Sequence, residues 1–388
     1  MMRRSFLQLL GLSVPALQSA FAQPASAKSK TLITIFLRGG VDGLSMVQPS
    51  GDPALRDLRK TLIHEGGLKL DSMFQLHPAM SALKPLYERK SLAVVHAVGQ
   101  ANPSRSHFEA QDFIESGLSG TKRGDGYLNR ALAAFPEGVP FRAVALQNTL
   151  PLSLAGDAQA LAFPELRRFK VNGASGLGLS FEALYAGAVD EALRTSGHDA
   201  FESLNAVAGE AWATAEAANG AAYPRGAFGQ RMQDLARLIR GDVGLRIGVT
   251  ELGGFDTHLA QGAAAGQLAN KLKELADGLA AFAVDLGPRL DDVIVATLTE
   301  FGRTARENGT QGTDHGTASS LFVMGGGVRG GRVHADWPSL SKLYEDRDLA
   351  VTTDLRSVLW SAIEASGAPA KASDVFPDFA PKPLSLFS

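Results

Sequence analysis

Apolar, β-branched runs recur along the chain, separated by stretches with helical spacing and by glycine-rich turns. Thr31 to Leu37, Leu92 to Gly99, Leu245 to Thr250, Asp291 to Leu298 and Ser320 to Met324 have the composition of strands buried on both faces. Phe141 to Leu146 predicts a shorter one. Amphipathic segments fall between them. Ser81 to Lys90 carries Leu83, Leu86 and Tyr87 on one face, and Gly229 to Arg240 turns Met232, Leu235, Leu238 and Ile239 inward. Leu259 to Leu286 repeats Leu268, Leu272, Leu275, Leu279 and Phe282, a core-packing stripe. Asp354 caps a last helix through Ile363. This strand–helix rhythm predicts an α/β fold with a mostly parallel sheet. From Ala158 to Gly226 the pattern changes: Ala, Gly and Glu dominate, strand runs are absent, and His198 to Ala218 reads as an Ala-rich helix. The region 158–226 is therefore expected to be an insertion or cap.

The polar residues that break the pattern sit just past strand ends, the edge of an open α/β sheet where ligands bind. Arg38-Gly39-Gly40-Val41-Asp42-Gly43 follows the first strand, and its glycines would let a ligand approach the backbone. Glu251-Leu252-Gly253-Gly254-Phe255-Asp256-Thr257-His258 follows another. In extended chain, residues two apart share a side, so Asp256 and His258 can grip one ion. Glu300-Phe301-Gly302-Arg303 ends the central run, and a turn-rich loop leads on to Asp314-His315-Gly316. Arg303 either pairs with Glu300 or reaches toward an anionic ligand. Carboxylates mixed with imidazoles suit Zn²⁺, Mn²⁺ or a similar divalent ion, which could activate water or a serine against a phosphate or sulfate ester. Asp42, Asp256, His258, Glu300, Asp314 and His315 are the candidate ligands. Ser106 has two readings: the cap of a helix, in a box with Glu109, or a nucleophile facing unpaired N–H groups, with Arg105 adding fixed charge. His77 and His96 read as hydrogen-bonded structural histidines, and His334 is a further site candidate.

Composition narrows the classes. The 388 residues are 45% hydrophobic and 20% charged, enough for one large domain or two small ones. A formal net charge of −2 and the lack of a basic arm argue against a nucleic-acid partner. With no cysteine there are no disulfides, thiolate metal sites or cysteine nucleophiles. Residues 1–27 have the order of an export signal: Arg3-Arg4-Ser5-Phe6-Leu7, a short apolar core, then small-residue cleavage patterns ending at Ala22 and Ala27. The apolar part is too short for a permanent membrane anchor. The expected partner during export is the twin-arginine translocase, and the expected compartment is the periplasm or another exported site.

Arg38 to Leu44, Ser106-His107-Phe108, Gly254 to His258, Thr299 to Thr304 and Asp314-His315-Gly316, behind a twin-arginine leader, resemble the exported bacterial family known as domain of unknown function 1501. That family is in turn similar to the alkaline-phosphatase-like superfamily of phosphatases, sulfatases and phosphoglycerate mutases. The resemblance implies a three-layer sandwich over 28–388, helices on both faces of a mostly parallel sheet, and one or two metals, or none, at the strand ends. It implies an anionic ester substrate. By position, Asp42 is similar to a first-strand metal ligand, Ser106 to the nucleophile, and His107 and Arg303 accompany it in the catalytic group with Arg105. Asp256 with His258, and His315, resemble ligands. Phe301 stands where a ligating histidine is expected, and a second alignment makes Asp314-His315 the Asp-His pair. A non-catalytic binding or assembly protein on the same fold is the alternative.

Overall fold

The computed structural model describes residues 29–121, 123–136, 139–168 and 211–388. The leader, His198 and most of the expected insertion lie outside the described residues. Nine strands form the main sheet: β1 (Thr31–Arg38), β2 (Leu92–Gly99), β3 (Ala143–Ala145), β4 (Leu161–Ala162), β5 (Ile247–Gly253), β6 (Val293–Leu298), β7 (Ser319–Gly325), β8 (Val333–His334) and β9 (Thr353–Asp354). Their order is β8-β2-β7-β6-β1-β5-β3-β4, with β9 also on β2. Among these pairings, β7 runs antiparallel to both its neighbours, β2 and β6, and the rest are parallel. The protein is thus an α/β fold on a mostly parallel sheet.

Strand alternation divides the core in two. Ile33, Ile35 and Leu37 of β1 face one side, packed with Met232, Leu235, Leu272, Leu279 and Phe282. Leu32 and Phe36 face the other, with Leu355, Val358, Leu359 and Ile363. The helices include α1 (Gly43–Met46), α2 (His107–Ser116), α3 (Ala227–Arg240), α4 (Gln267–Leu286) and α5 (Leu355–Ala365). Asp354 accepts from the Arg356 N–H and caps α5 as expected. The long helix expected from Leu259 begins only at Gln267. Gly262 and Gly266 have φ of +82° and +125°, backbone that interrupts a right-handed helix, and 259–266 is a loop. That loop matters for the site.

His77 and His96 are buried and hydrogen-bonded to the carbonyls of Ala263 and Val47. His334 is half-buried, bonded to the Arg329 carbonyl. Burial pushes the imidazoles of His64 and His96 down from 6.5 to about 4. A base so depressed takes its proton first in the unfolded chain, and acid then favours unfolding. This contribution is whole above the ordinary value and is lost as pH falls toward the folded one. Going from pH 7 to pH 5 should cost roughly 2 kcal/mol per histidine. Urea unfolding at the two pH values checks it, and an unmoved midpoint would contradict it.

Candidate metal centre

Asp256 is the hub. It follows β5 in an extended turn, and its Oδ1 lies 2.9 Å from His258 Nε2, 3.2 Å from His315 Nε2 and 2.8 Å from Arg303 Nη2. Its Oδ2 is 3.6 Å from His107 Nε2. His258 and His315 face each other through Nε2 atoms 3.0 Å apart. His107, Asp256 and His315 each offer a donor atom within 4.8 Å of the others, the spacing of a cation site.

The outward nitrogens explain this convergence. His107 Nδ1 donates to Glu300 Oε1 at 2.9 Å, His258 Nδ1 to Asp314 Oδ1 at 3.0 Å, and His315 Nδ1 to the Arg105 carbonyl at 2.8 Å. With the proton on Nδ1, each neutral ring presents a bare lone pair at Nε2. Three lone pairs then meet beside a carboxylate, and buried His107 Nε2 has no hydrogen-bond partner. Histidines that hold metals are oriented in this way, by a carboxylate or carbonyl on the far nitrogen. Donors around a tetrahedral zinc stand about 3.3 Å apart, given bonds of about 2.0 Å. The separations from 2.9 to 3.6 Å bracket that value. The residues present fit a divalent ion.

Charge supports the same arrangement. Burial would raise the Glu300 carboxyl, but the His107 N–H, with the Gly39 N–H and the Gln111 amide, holds it below its usual range. The bond to Glu300 in turn raises His107 against the effect of burial. Burial lowers His315. Asp256 is drawn down by Arg303 despite partial burial. Arg303, fully buried, is lowered by desolvation.

Of the residues singled out in the sequence, the structure gathers Asp256, His258 and His315 at one point, whereas Glu300 and Asp314, expected as ligands, instead accept from the far nitrogens of His107 and His258. His107, expected in the catalytic group, turns its Nε2 to the hub with the ligands. Further expectations are corrected. Asp42 does not reach the cluster: it is fully buried, caps α1, and pairs with Arg59 Nη1 at 2.6 Å. Arg59 overcomes the effect of burial and lowers its carboxyl. Arg303 pairs with Asp256 rather than Glu300. The Arg105 guanidinium points away, to Asp348 and Glu345, both at 2.6 Å, and only its carbonyl serves the site. The glycines after β1 admit chain rather than ligand: a Cβ on Gly39 would stand 2.5 Å from the Asp256 nitrogen.

Ser106 is the N-cap residue of α2 but makes no side-chain cap bond, so the expected capping box is not formed. Glu109 instead accepts from Ser104 Oγ at 2.8 Å. Ser106 sits between Arg105 and His107, both of which serve the cluster. The Phe301 ring packs at a tilt against both His107 and His315, with centroids 4.8 Å apart in each case, and forms an apolar wall. Arg59, Gln111 and Gln261 escape a reading of the sequence, because an isolated Arg or Gln carries no local signal of a partner far along the chain.

The family model described as "Protein of unknown function (DUF1501)" matches residues 29–359. No curated protein matches the chain. Among solved structures, it is similar to a protein in the alkaline phosphatase superfamily from Vibrio parahaemolyticus, at 12% identity and a TM-score of 0.42, covering 93% of this chain and 71% of that one. It is similar to the PsFucS1 sulfatase from Pseudoalteromonas sp., at 10% identity and 0.42, covering 90% and 70%. It is also similar to the C-terminal periplasmic domain of EcEptC from Escherichia coli in complex with Zn, at 10% identity and 0.40, covering 93% and 92%.

Proposed function

The chain belongs to the DUF1501 family, and from that premise and its histidine–aspartate cluster we propose that it is a metal-dependent hydrolase of phosphate or sulfate esters. The observation that carries the reading is the meeting of three imidazole lone pairs at Asp256, each ring having its far nitrogen occupied. His107, Asp256, His258 and His315 would hold the ion, with zinc or manganese matching this donor set. A bound divalent ion supplies Lewis acidity. Glu300 and Asp314 keep the rings in the required tautomer. Arg303 keeps Asp256 ionised. Ser106, whose hydroxyl is not spent on capping, is the proposed nucleophile, at the positive end of α2.

One ion per chain is expected, because Arg59 already neutralises Asp42. The Arg3-Arg4 leader supports export by the twin-arginine route. The protein recovered after export should contain one equivalent of zinc or manganese by elemental analysis, and Arg3→Lys with Arg4→Lys should keep it inside the cell. Turnover of aryl phosphates or sulfates should be lost in Ser106→Ala. Absence of metal, with turnover indifferent to Ser106, would sink the proposal.

Phe301 favours a second reading, a non-catalytic binding or assembly protein. Its ring fills the wall where the resemblance expects another histidine. Retained metal without any ester turnover would favour that reading.

A further inference from the structure

We infer that Gln261 is a positioning residue that ties the buried Asp42–Arg59 pair to both loops bearing the proposed metal ligands. The inference rests on the metal-site reading above. Gln261 is fully buried. Its amide nitrogen donates to Asp42 Oδ2 at 2.6 Å and Ser45 Oγ at 3.3 Å. Its amide oxygen accepts from two hydroxyls, Thr257 Oγ1 and Thr313 Oγ1, both at 2.8 Å. Thr257 lies between Asp256 and His258. Thr313 precedes Asp314 and His315. One amide therefore touches both ligand-bearing segments and the end of the first strand unit.

The orientation of that amide has no alternative. Turned over, its oxygen would face the oxygens of the ionised Asp42 carboxylate, acceptor against acceptor, and both threonine hydroxyls would have to accept from its nitrogen. Arg59 extends the same unit to the third segment. Its Nε donates to the Ala305 carbonyl and its Nη2 to the Thr304 carbonyl, next to Arg303. The backbones of the two loops pair directly, Ala260 N–H to Thr310 O and Gln261 N–H to Gln311 O. Those bonds set the loops against each other. The Gln261 amide sets both against the start of α1, just beyond β1. Buried polar contacts of this kind hold their geometry because water cannot replace them. Asp42 thus acts on the site through Gln261, without touching an ion.

The test uses the full chain carrying Gln261→Met, Thr257→Val or Thr313→Val, with Co²⁺ as spectroscopic probe and Zn²⁺ competition as the affinity measure. Loss of an outer partner typically weakens metal binding roughly 10–100-fold. Each variant is expected to bind in that range below the parent, with an altered Co²⁺ ligand-field band. Thr257→Ser and Thr313→Ser, which keep the hydroxyl, should restore both. Should Gln261→Met fail to fold, the threonine variants decide. Variants that shift only the urea midpoint and keep the parental Co²⁺ spectrum and Zn²⁺ affinity overturn the positioning role alone. A parent that binds neither ion overturns the metal-site reading, and this inference with it.

Discussion

Asp42→Ala should lower the unfolding free energy by about 3–5 kcal/mol, the cost of leaving one partner of a fully buried ion pair uncompensated. Both side chains of the Asp42–Arg59 pair are 1% exposed. The guanidinium is shut off from water, and its remaining bonds run to neutral groups, the Ser45 hydroxyl and the carbonyls of Ala305 and Thr304. Ser45 and Gln261 lose an acceptor in the same step. Because the penalty comes from the orphaned charge rather than from the worth of the pair, a double change, Asp42→Leu with Arg59→Met, should recover most of it. Urea unfolding of the three proteins checks this. If the single variant fell within about 1 kcal/mol of the parent, as ordinary surface changes do, the buried pair would not be what holds this corner.

His315→Ala should abolish metal retention. It removes a donor nitrogen 3.2 Å from Asp256 and 3.0 Å from His258 Nε2. It also removes the ring that the Arg105 carbonyl orients. The fall in Zn²⁺ affinity should exceed the roughly 10–100-fold expected of Glu300→Gln, which leaves every donor in place and weakens the acceptor that His107 shares with the Gly39 N–H and the Gln111 amide. Stability should change little by comparison, since the His315 side chain is about one-quarter exposed and the Asp256–Arg303 pair survives. Zn²⁺ competition and urea unfolding, run side by side, separate the two effects. Equal affinities for His315→Ala and the parent would remove His315 from the ligand set, and turnover of aryl esters should follow affinity across both variants.

Much of this was legible one segment at a time. The β-branched runs predicted β1, β2, β5, β6 and β7, because a strand covered on both faces has no polar side to hide. The leucine stripe of α4 was equally plain, but its start was misplaced: apolar spacing says nothing about positive φ at Gly262 and Gly266. The Asp256-Thr257-His258 and Asp314-His315 motifs were visible because their residue types and short spacing already imply a shared ligand.

Residue pattern along the chain is enough to read the α/β architecture, the strand-end placement of the acids and histidines, and the donor chemistry they offer. Which carboxylate meets which cation is settled only when the chain packs. Asp42 and Asp256 look alike in sequence, each following glycines at a strand end. One meets Arg59 in a dry interior, and the other meets three imidazoles at a rim that is still half open to solvent. Similarly, Arg105 turns to Asp348 and Glu345, and His107 turns to Asp256 and Glu300. The physical reason is that periodicity is a property of neighbours along the chain, whereas charge pairing depends on distance through space. The partners of Glu300 and His315 lie some two hundred residues away, and only the packed sheet brings them within reach.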